Sequence, residues 1–168
     1  MVEYDYSVEG DDIIQKLMRV PALKPFKEKE IQELLHMSKI KKFKSGELIF
    51  KEGSFENLTY YLVSGKVKIV KNDKELLILQ RIGDVFGEMG PITGDARSAS
   101  VYAADESICI EMNISNLEKM PEENIYTFRY IIFRGFAEVL AGRLKTTTDE
   151  LMQARDEIEK LQNLIKED

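Results

Sequence analysis

The amino-acid sequence predicts an α+β protein: a compact sandwich or barrel-like β unit, with helices before it and one long helix after it. Three observations predict this. Between Ile40 and Met112, short apolar runs of period two are separated by glycine-bearing turns, the mark of a sandwich or barrel-like β unit. Two stretches of helical spacing precede that region. From Glu122 onward the apolar residues fall into heptads. The division expected is residues 1–121 for the β unit with its N-terminal helices and 122–168 for the long helix.

The elements follow in order. Ile13, Ile14, Leu17 and Met18 have helical spacing behind the acidic pair Asp11-Asp12, which suits a helix N-terminus. Val20-Pro21-Ala22-Leu23 ends that helix. Lys27 to Ser38 predicts a second, with Ile31, Leu34, Leu35 and Met37 on its apolar side. The run KKFKSGELIFKEGS reads as strand, glycine turn, strand, with Leu48 and Phe50 on one face. Thr59 to Val63 and Lys66 to Lys71 predict a hairpin about Ser64-Gly65. Asn72-Asp73 and Gly83-Asp84 flank a strand from Glu75 to Arg81. Gly53, Gly65 and Gly83 stand where the chain must reverse, so positive φ is expected there. Ser100 to Ala104 and Ser107 to Met112 supply the last strands. Asn113 or Ser115 caps a short helix that Pro121 interrupts. In the long helix, Tyr130, Ala137, Leu144, Leu151, Ile158 and Ile165 are spaced by seven, and Phe133, Leu140, Thr147, Ala154 and Leu161 follow each by three. This a/d seam predicts a homodimer through the C-terminal helix. Glu150 and Arg155 take g and e positions. Gly142 and Thr147 are its weak points.

Composition narrows the function. The chain has 168 residues, 43% hydrophobic and 32% charged, with net charge −6. That balance disfavours non-specific attraction to nucleic acid or anionic membrane. The single cysteine, Cys109, lies in an apolar run and reads as a buried hydrophobe; a lone cysteine fits a reducing, cytoplasmic setting. The acidic start lacks the apolar core of a secretory signal, and no apolar run is long enough to cross a bilayer. The sole histidine, His36, has no partners for a metal or haem and reads as structural. One histidine and one cysteine exclude a His-rich metal site or an iron–sulfur cluster. Metal, cofactor and enzymatic activity are therefore not expected.

The chemistry gathers in Gly87 to Ser100, GEMGPITGDARSAS. One acid and one base, Glu88 and Arg97, bracket a glycine-bearing segment. Taken alone, such a pair describes a solvated hairpin with a surface ion pair. A phosphate joined to a sugar gives both residues work. Arg97 pairs two phosphate oxygens in a fork, backbone N–H groups of the turn and a following short helix support the same phosphate, and Glu88 accepts from a ribose hydroxyl. Arg97 is expected at the pocket wall, where its replacement spares the fold.

The pattern Phe86-Gly87-Glu88-Met89-Gly90, then Arg97-Ser98-Ala99-Ser100, resembles the phosphate-binding cassette of cyclic nucleotide-binding domains, the family of the catabolite activator protein and the regulatory subunits of cyclic nucleotide-dependent kinases. SGELIFKEG, YYLVSGKVKI and RIGDVFGEMG extend the likeness over roughly residues 12 to 150 and imply that the β unit is that family's β-roll, a double-stranded β-helix of jelly-roll-like kind. It implies phosphate binding by Arg97, Ser98 and Ala99 and ribose binding by Gly87, Glu88 and Met89. Arg143-Leu144-Lys145-Thr146-Thr147-Thr148 is similar to the stretch that meets the base in the catabolite activator family, which makes Thr147 and Thr148 the base-contacting residues. The implied function is a cyclic nucleotide sensor that signals by repositioning its dimeric helix. The threonines favour cyclic AMP; Ser98, whose hydroxyl also suits a guanine amino group, keeps cyclic GMP open. A degenerate pocket in a structural dimer, or one for another anion, is the alternative. The chain departs from the family at Pro91, which removes an N–H from the turn, and in having no helix-turn-helix after the long helix, so direct nucleic-acid binding is not expected.

Overall fold

The computed structural model describes residues 2–3, 10–18, 20, 23–119 and 122–167. Pro21, Ala22 and Pro121, expected to end the first helix and to interrupt the short one, lie outside the described residues. The chain divides into two compact units, Met1–Ile132 and Phe133–Asp168.

In the first unit, α1 (Gly10–Leu17) and α2 (Glu28–His36) precede the strands that run from Ser38 onward. α2 begins with Glu28 and Glu30 in its first turn, and the Glu30 carboxylate accepts from the Lys27 N–H at 2.7 Å. That is the reach-back half of a capping box, favoured by the positive end of the helix dipole. It ends two residues earlier than expected. Ser38 already belongs to the first long strand, and its hydroxyl donates to the Leu34 carbonyl at 2.7 Å.

Among the described residues there are nine strands: β1 (Val2–Glu3), β2 (Ser38–Phe43), β3 (Leu48–Phe50), β4 (Leu58–Ser64), β5 (Val67–Lys71), β6 (Lys74–Leu79), β7 (Val85–Phe86), β8 (Ser100–Ala103) and β9 (Ser107–Asn113). They form two antiparallel sheets, in the orders β1-β2-β9-β4-β7 and β3-β8-β5-β6. The first sheet contributes Phe43, Tyr60, Leu62, Phe86 and Cys109 to the core between them. The second contributes Phe50, Val67, Leu79, Val101 and Ala103. Strand alternation turns Tyr61 and Val63 to the other face of the first sheet, where α1 packs on β4 and α2 on β2. This is the β-roll with N-terminal helices that the sequence predicts.

Two local expectations are corrected. Residues 59–71 are not a hairpin. β4 pairs with β7 and β9, whereas β5 pairs with β6 and β8 in the opposite sheet. Ser64-Gly65 is a crossing between sheets. Gly65 has φ +87°, and a Cβ there would lie 2.3 Å from the Glu106 carbonyl oxygen, so the crossing is threaded against the turn before β9. Ser107 ties it down: its hydroxyl accepts from the Lys66 N–H at 3.1 Å and lies 2.9 Å from the Lys66 carbonyl. The second correction concerns β3. Leu48 is 43% exposed and Phe50 6%, because the pairing with β8 shifts register between them. A bulge changes which way the next side chain points. The other turns are as expected. Asn72 and Asp73, both at positive φ, join β5 to β6 as a two-residue hairpin.

Cys109 is wholly buried, and burial pushes its thiol up to about 12. The unfolded thiol ionises near 9, so the folded chain holds the proton more tightly. Stability is therefore expected to fall as pH rises from about 9 towards 12, and thiol reagents are expected to label Cys109 only as fast as the roll opens. Labelling in native buffer as fast as in urea would contradict this burial.

After β9, a 3-10 turn (Ile114–Lys119) starts with the Ser115 N–H donating to Asn113 Oδ1 at 3.0 Å, so Asn113 is the capping residue. The long helix α4 spans Glu122–Glu167. Its first residues belong to the first unit, where the Phe128 ring lies 4.9 Å from that of Phe26. The second unit is the rest of α4. There Leu144, Leu151, Ile158, Leu161 and Ile165 are all at least half exposed.

Candidate functional site

The stretch singled out in the sequence leaves β7, passes Gly87-Glu88, forms the short helix α3 (Met89–Thr93) and returns through Gly94 to β8. Pro91 falls in the first turn of α3, where helix N–H groups have no intrahelical partner in any case. The loop between β3 and β4 runs beside the returning segment. The Gly53 N–H donates to the Arg97 carbonyl at 2.9 Å, the Arg97 N–H to the Ser54 carbonyl at 2.8 Å, and the Glu52 N–H to Ser100 Oγ at 2.9 Å.

Arg97 is the centre of this arrangement. It is 4% exposed, more deeply set than the pocket-wall position expected. Nη1 donates to the Gly87 carbonyl at 2.6 Å and Nη2 to the Leu58 carbonyl at 2.7 Å. The guanidinium carbon stands 4.1 Å over the Phe50 ring. Phe50 belongs to an aromatic floor with Tyr60 and Phe86, the last two stacked 5.3 Å apart at 9°. A cation over a ring face is attracted by the ring quadrupole, so this floor holds the charge in place. Glu56 Oε2 lies 3.6 Å from Nη2. The guanidinium Nε, although buried, has no hydrogen-bond partner among the described residues. Gly87 makes the approach possible. Its φ is +76°, and a Cβ there would sit 2.7 Å from Arg97 Nη1.

Glu88 is 1% exposed, at the start of α3. Burial, and secondarily the Glu88 charge, raise the Tyr61 phenol far above its ordinary range. Burial likewise dominates at Tyr60, with the charge of Glu111 second; its hydroxyl donates to Glu111 Oε2 at 3.0 Å. Met89 and Ser98 are exposed, with Ser98 Oγ 3.6 Å from Met89 Sδ, while Ala99 is buried. Gly87, Glu88, Met89, Arg97, Ser98 and Ala99 thus occupy one end of the β-roll. Thr147 and Thr148 are exposed on the second unit, and the Thr148 hydroxyl donates to the Leu144 carbonyl at 2.8 Å. Sequence reasoning missed the aromatic floor and Glu56. Alternation in β4 marks Tyr60 as a strand residue, but nothing local aims it at Arg97, and Glu56 reads as an ordinary loop acid.

Among the described residues, no helix is long and apolar enough to cross a membrane. Comparison with known proteins bears on the rest. The chain is 30% identical over 95 residues, 56% of its length, to a cGMP-dependent protein kinase of Eimeria tenella, but covers only 9% of that kinase. A cyclic nucleotide-binding domain from Methylobacillus flagellatus superposes with a TM-score of 0.73 at 17% identity, over 85% of this chain and 84% of that one. The catabolite activator protein of Thermus thermophilus gives 0.64 at 23% identity, over 79% of this chain and 62% of that one. At these identities the structural likenesses establish the fold. The family model of the cyclic nucleotide-binding domain matches residues 40–124, just over half of the chain, which takes in most of β2, the strands β3 to β9 and the whole segment around Arg97. The chain is therefore a member of the cyclic nucleotide-binding domain family.

Proposed function

We propose that this chain is a sensor that holds the phosphate of a cyclic nucleotide on Arg97 and the ribose beside Glu88, and relays occupancy through a dimer of α4. The observation that carries the reading is the Arg97 guanidinium, buried, positively charged and with an N–H that no described residue accepts. A buried unsatisfied donor is costly, and an anion within reach of it relieves that cost. Exposed Met89 and Ser98 border the ligand side, and backbone N–H groups of the turn into α3 add to the phosphate's support.

Cyclic AMP is the first reading for the base. The Thr148 hydroxyl spends its hydrogen on Leu144 and keeps lone pairs to accept from an adenine amino group. Cyclic GMP is the second: Ser98 is exposed, with its hydroxyl engaged by the weak acceptor Met89 Sδ at 3.6 Å, which a ligand group can replace, and the Eimeria tenella relative is a cGMP-dependent kinase. Titration calorimetry with the two ligands side by side decides between them, and failure to bind either removes the proposal. For Glu88→Gln the expected loss is about tenfold with the cyclic nucleotide and less with its 2′-deoxy analogue, because only the ribose hydroxyl needs the stronger acceptor. Equal losses would leave Glu88 a structural role alone.

The exposed stripe of Leu144, Leu151, Ile158, Leu161 and Ile165 supports a homodimer through α4. A dimer is expected by sedimentation at micromolar concentration with or without nucleotide. In Thr147→Ala/Thr148→Ala, binding is expected to weaken only about tenfold. The ligand-induced change between spin labels at Gln153 of the two chains is expected to vanish. A monomer, or an unaltered distance change, would sink the relay.

A further inference from the structure

The loop between β3 and β4 brings an acid to the edge of the guanidinium that the phosphate needs. Glu56 Oε2 stands 3.6 Å from Arg97 Nη2, a nitrogen that already donates to the Leu58 carbonyl. Nε and Nη2 form one edge of the planar guanidinium, and Nε is the atom without a partner among the described residues. An anion that takes Nε in a two-point fork must draw its second bond from Nη2. It meets Glu56 there. The two side chains differ in freedom. The Arg97 side chain is 2% exposed and pinned by two carbonyl oxygens and the Phe50 ring, whereas the Glu56 side chain is 41% exposed and its carboxylate has room to turn towards water. Its backbone has less room, since the Glu56 carbonyl lies 3.4 Å from where a Gly90 Cβ would be and the loop is bonded to Arg97 through Gly53 and Ser54. A ligand therefore displaces the carboxylate from Nη2 but leaves its charge nearby.

We propose that Glu56 is a specificity-determining residue of the phosphate site: it competes for the Nη2 edge of Arg97 and favours a singly charged cyclic phosphodiester over a doubly charged phosphate monoester. The proposal rests on Arg97 being the phosphate ligand. Like-charge repulsion grows with the charge of the ligand. A nucleoside 5′-monophosphate carries close to two negative charges above pH 7, its second ionisation lying near pH 6, and a cyclic nucleotide carries one. The same fixed carboxylate thus penalises the ring-opened product more than the cyclic form.

The test is displacement of a fluorescent cyclic nucleotide by cyclic AMP and by AMP, at pH 7.5 and fixed ionic strength, for wild type, Glu56→Gln and Arg97→Leu. Glu56→Gln is expected to bind cyclic AMP about threefold more tightly and AMP about tenfold more tightly, narrowing the preference about threefold. Equal gains for both ligands, no gain, a loss, or AMP that still displaces nothing at millimolar concentration would overturn the proposal. If Arg97→Leu binds cyclic AMP as wild type does, the assignment of Arg97 falls and takes this proposal with it. If Arg97→Leu loses binding while Glu56→Gln leaves the preference unchanged, only the role of Glu56 falls. Thermal unfolding of Glu56→Gln within about a degree of wild type shows that the comparison is between folded proteins.

Discussion

Arg97→Leu is expected to lose at least about a hundredfold in cyclic nucleotide affinity, since a charge-assisted fork contributes about 1.5–3 kcal/mol per bond and about 1.4 kcal/mol is a factor of ten. It is also expected to destabilise the β-roll by about 2–4 kcal/mol, an effect that a residue on an open pocket wall would not show. The carbonyl oxygens of Gly87 and Leu58 lose their donors, and each unmet buried acceptor costs about 1–3 kcal/mol. Urea denaturation and calorimetry on the same preparation separate the two losses. Arg97→Lys keeps the charge over Phe50 and one donor, so it is expected to recover part of the stability and little of the affinity, because an ammonium presents no planar fork. A leucine variant that binds within threefold of wild type would remove Arg97 from the phosphate site.

Gly87→Ala is expected to be nearly as damaging, by a different route. An alanine at φ +76° is strained by about 1–2 kcal/mol before any contact is counted. Its Cβ would also stand 2.7 Å from Arg97 Nη1, 3.1 Å from the Leu58 carbonyl oxygen and 3.2 Å from a Phe50 ring carbon. The arginine cannot simply move aside, because the Leu58 carbonyl and the Phe50 face hold it. A total of about 3 kcal/mol and a loss of binding comparable to Arg97→Lys follow. Gly94→Ala is the internal control. Its φ is +74° but nothing lies within 4 Å of the added Cβ, so only the backbone strain of about 1–2 kcal/mol is expected, with binding largely kept. Equal destabilisation by the two alanines would mean that the contact with Arg97 does not matter.

Much of this protein was legible in the residues because the relevant physics is local. Helical spacing in 13–18 and 31–35 places Ile13, Ile14, Leu17, Ile31, Leu34 and Leu35 in the core, as expected. Gly53, Gly65 and Gly83 all have positive φ, since a reversing chain without a Cβ needs nothing from elsewhere in the fold. The segment from Phe86 to Ser100 stood out because its glycines, acid and arginine are close in sequence, and the family match covers it.

Tertiary structure decided what depends on partners far along the chain. β4 and β5 are separated by two residues and read as a hairpin, yet β9 claims one and β8 the other. Those pairings join residues from 30 positions apart (Val70 and Ser100) to 55 apart (Leu58 and Asn113) and are set by which faces bury Tyr60, Leu62 and Val67. A shift of register in β3 turned Leu48 outward for the same reason. The depth of Arg97, the aromatic floor beneath it and the acid at its edge likewise come from β3, β4, β7 and the loop at 51–57. The residue pattern from Phe86 to Ser100 was enough to carry the resemblance to cyclic nucleotide-binding domains, which the family match bears out, and to single out Arg97. Only the folded arrangement decided what surrounds that arginine, because burial and charge pairing arise between segments that no local pattern joins.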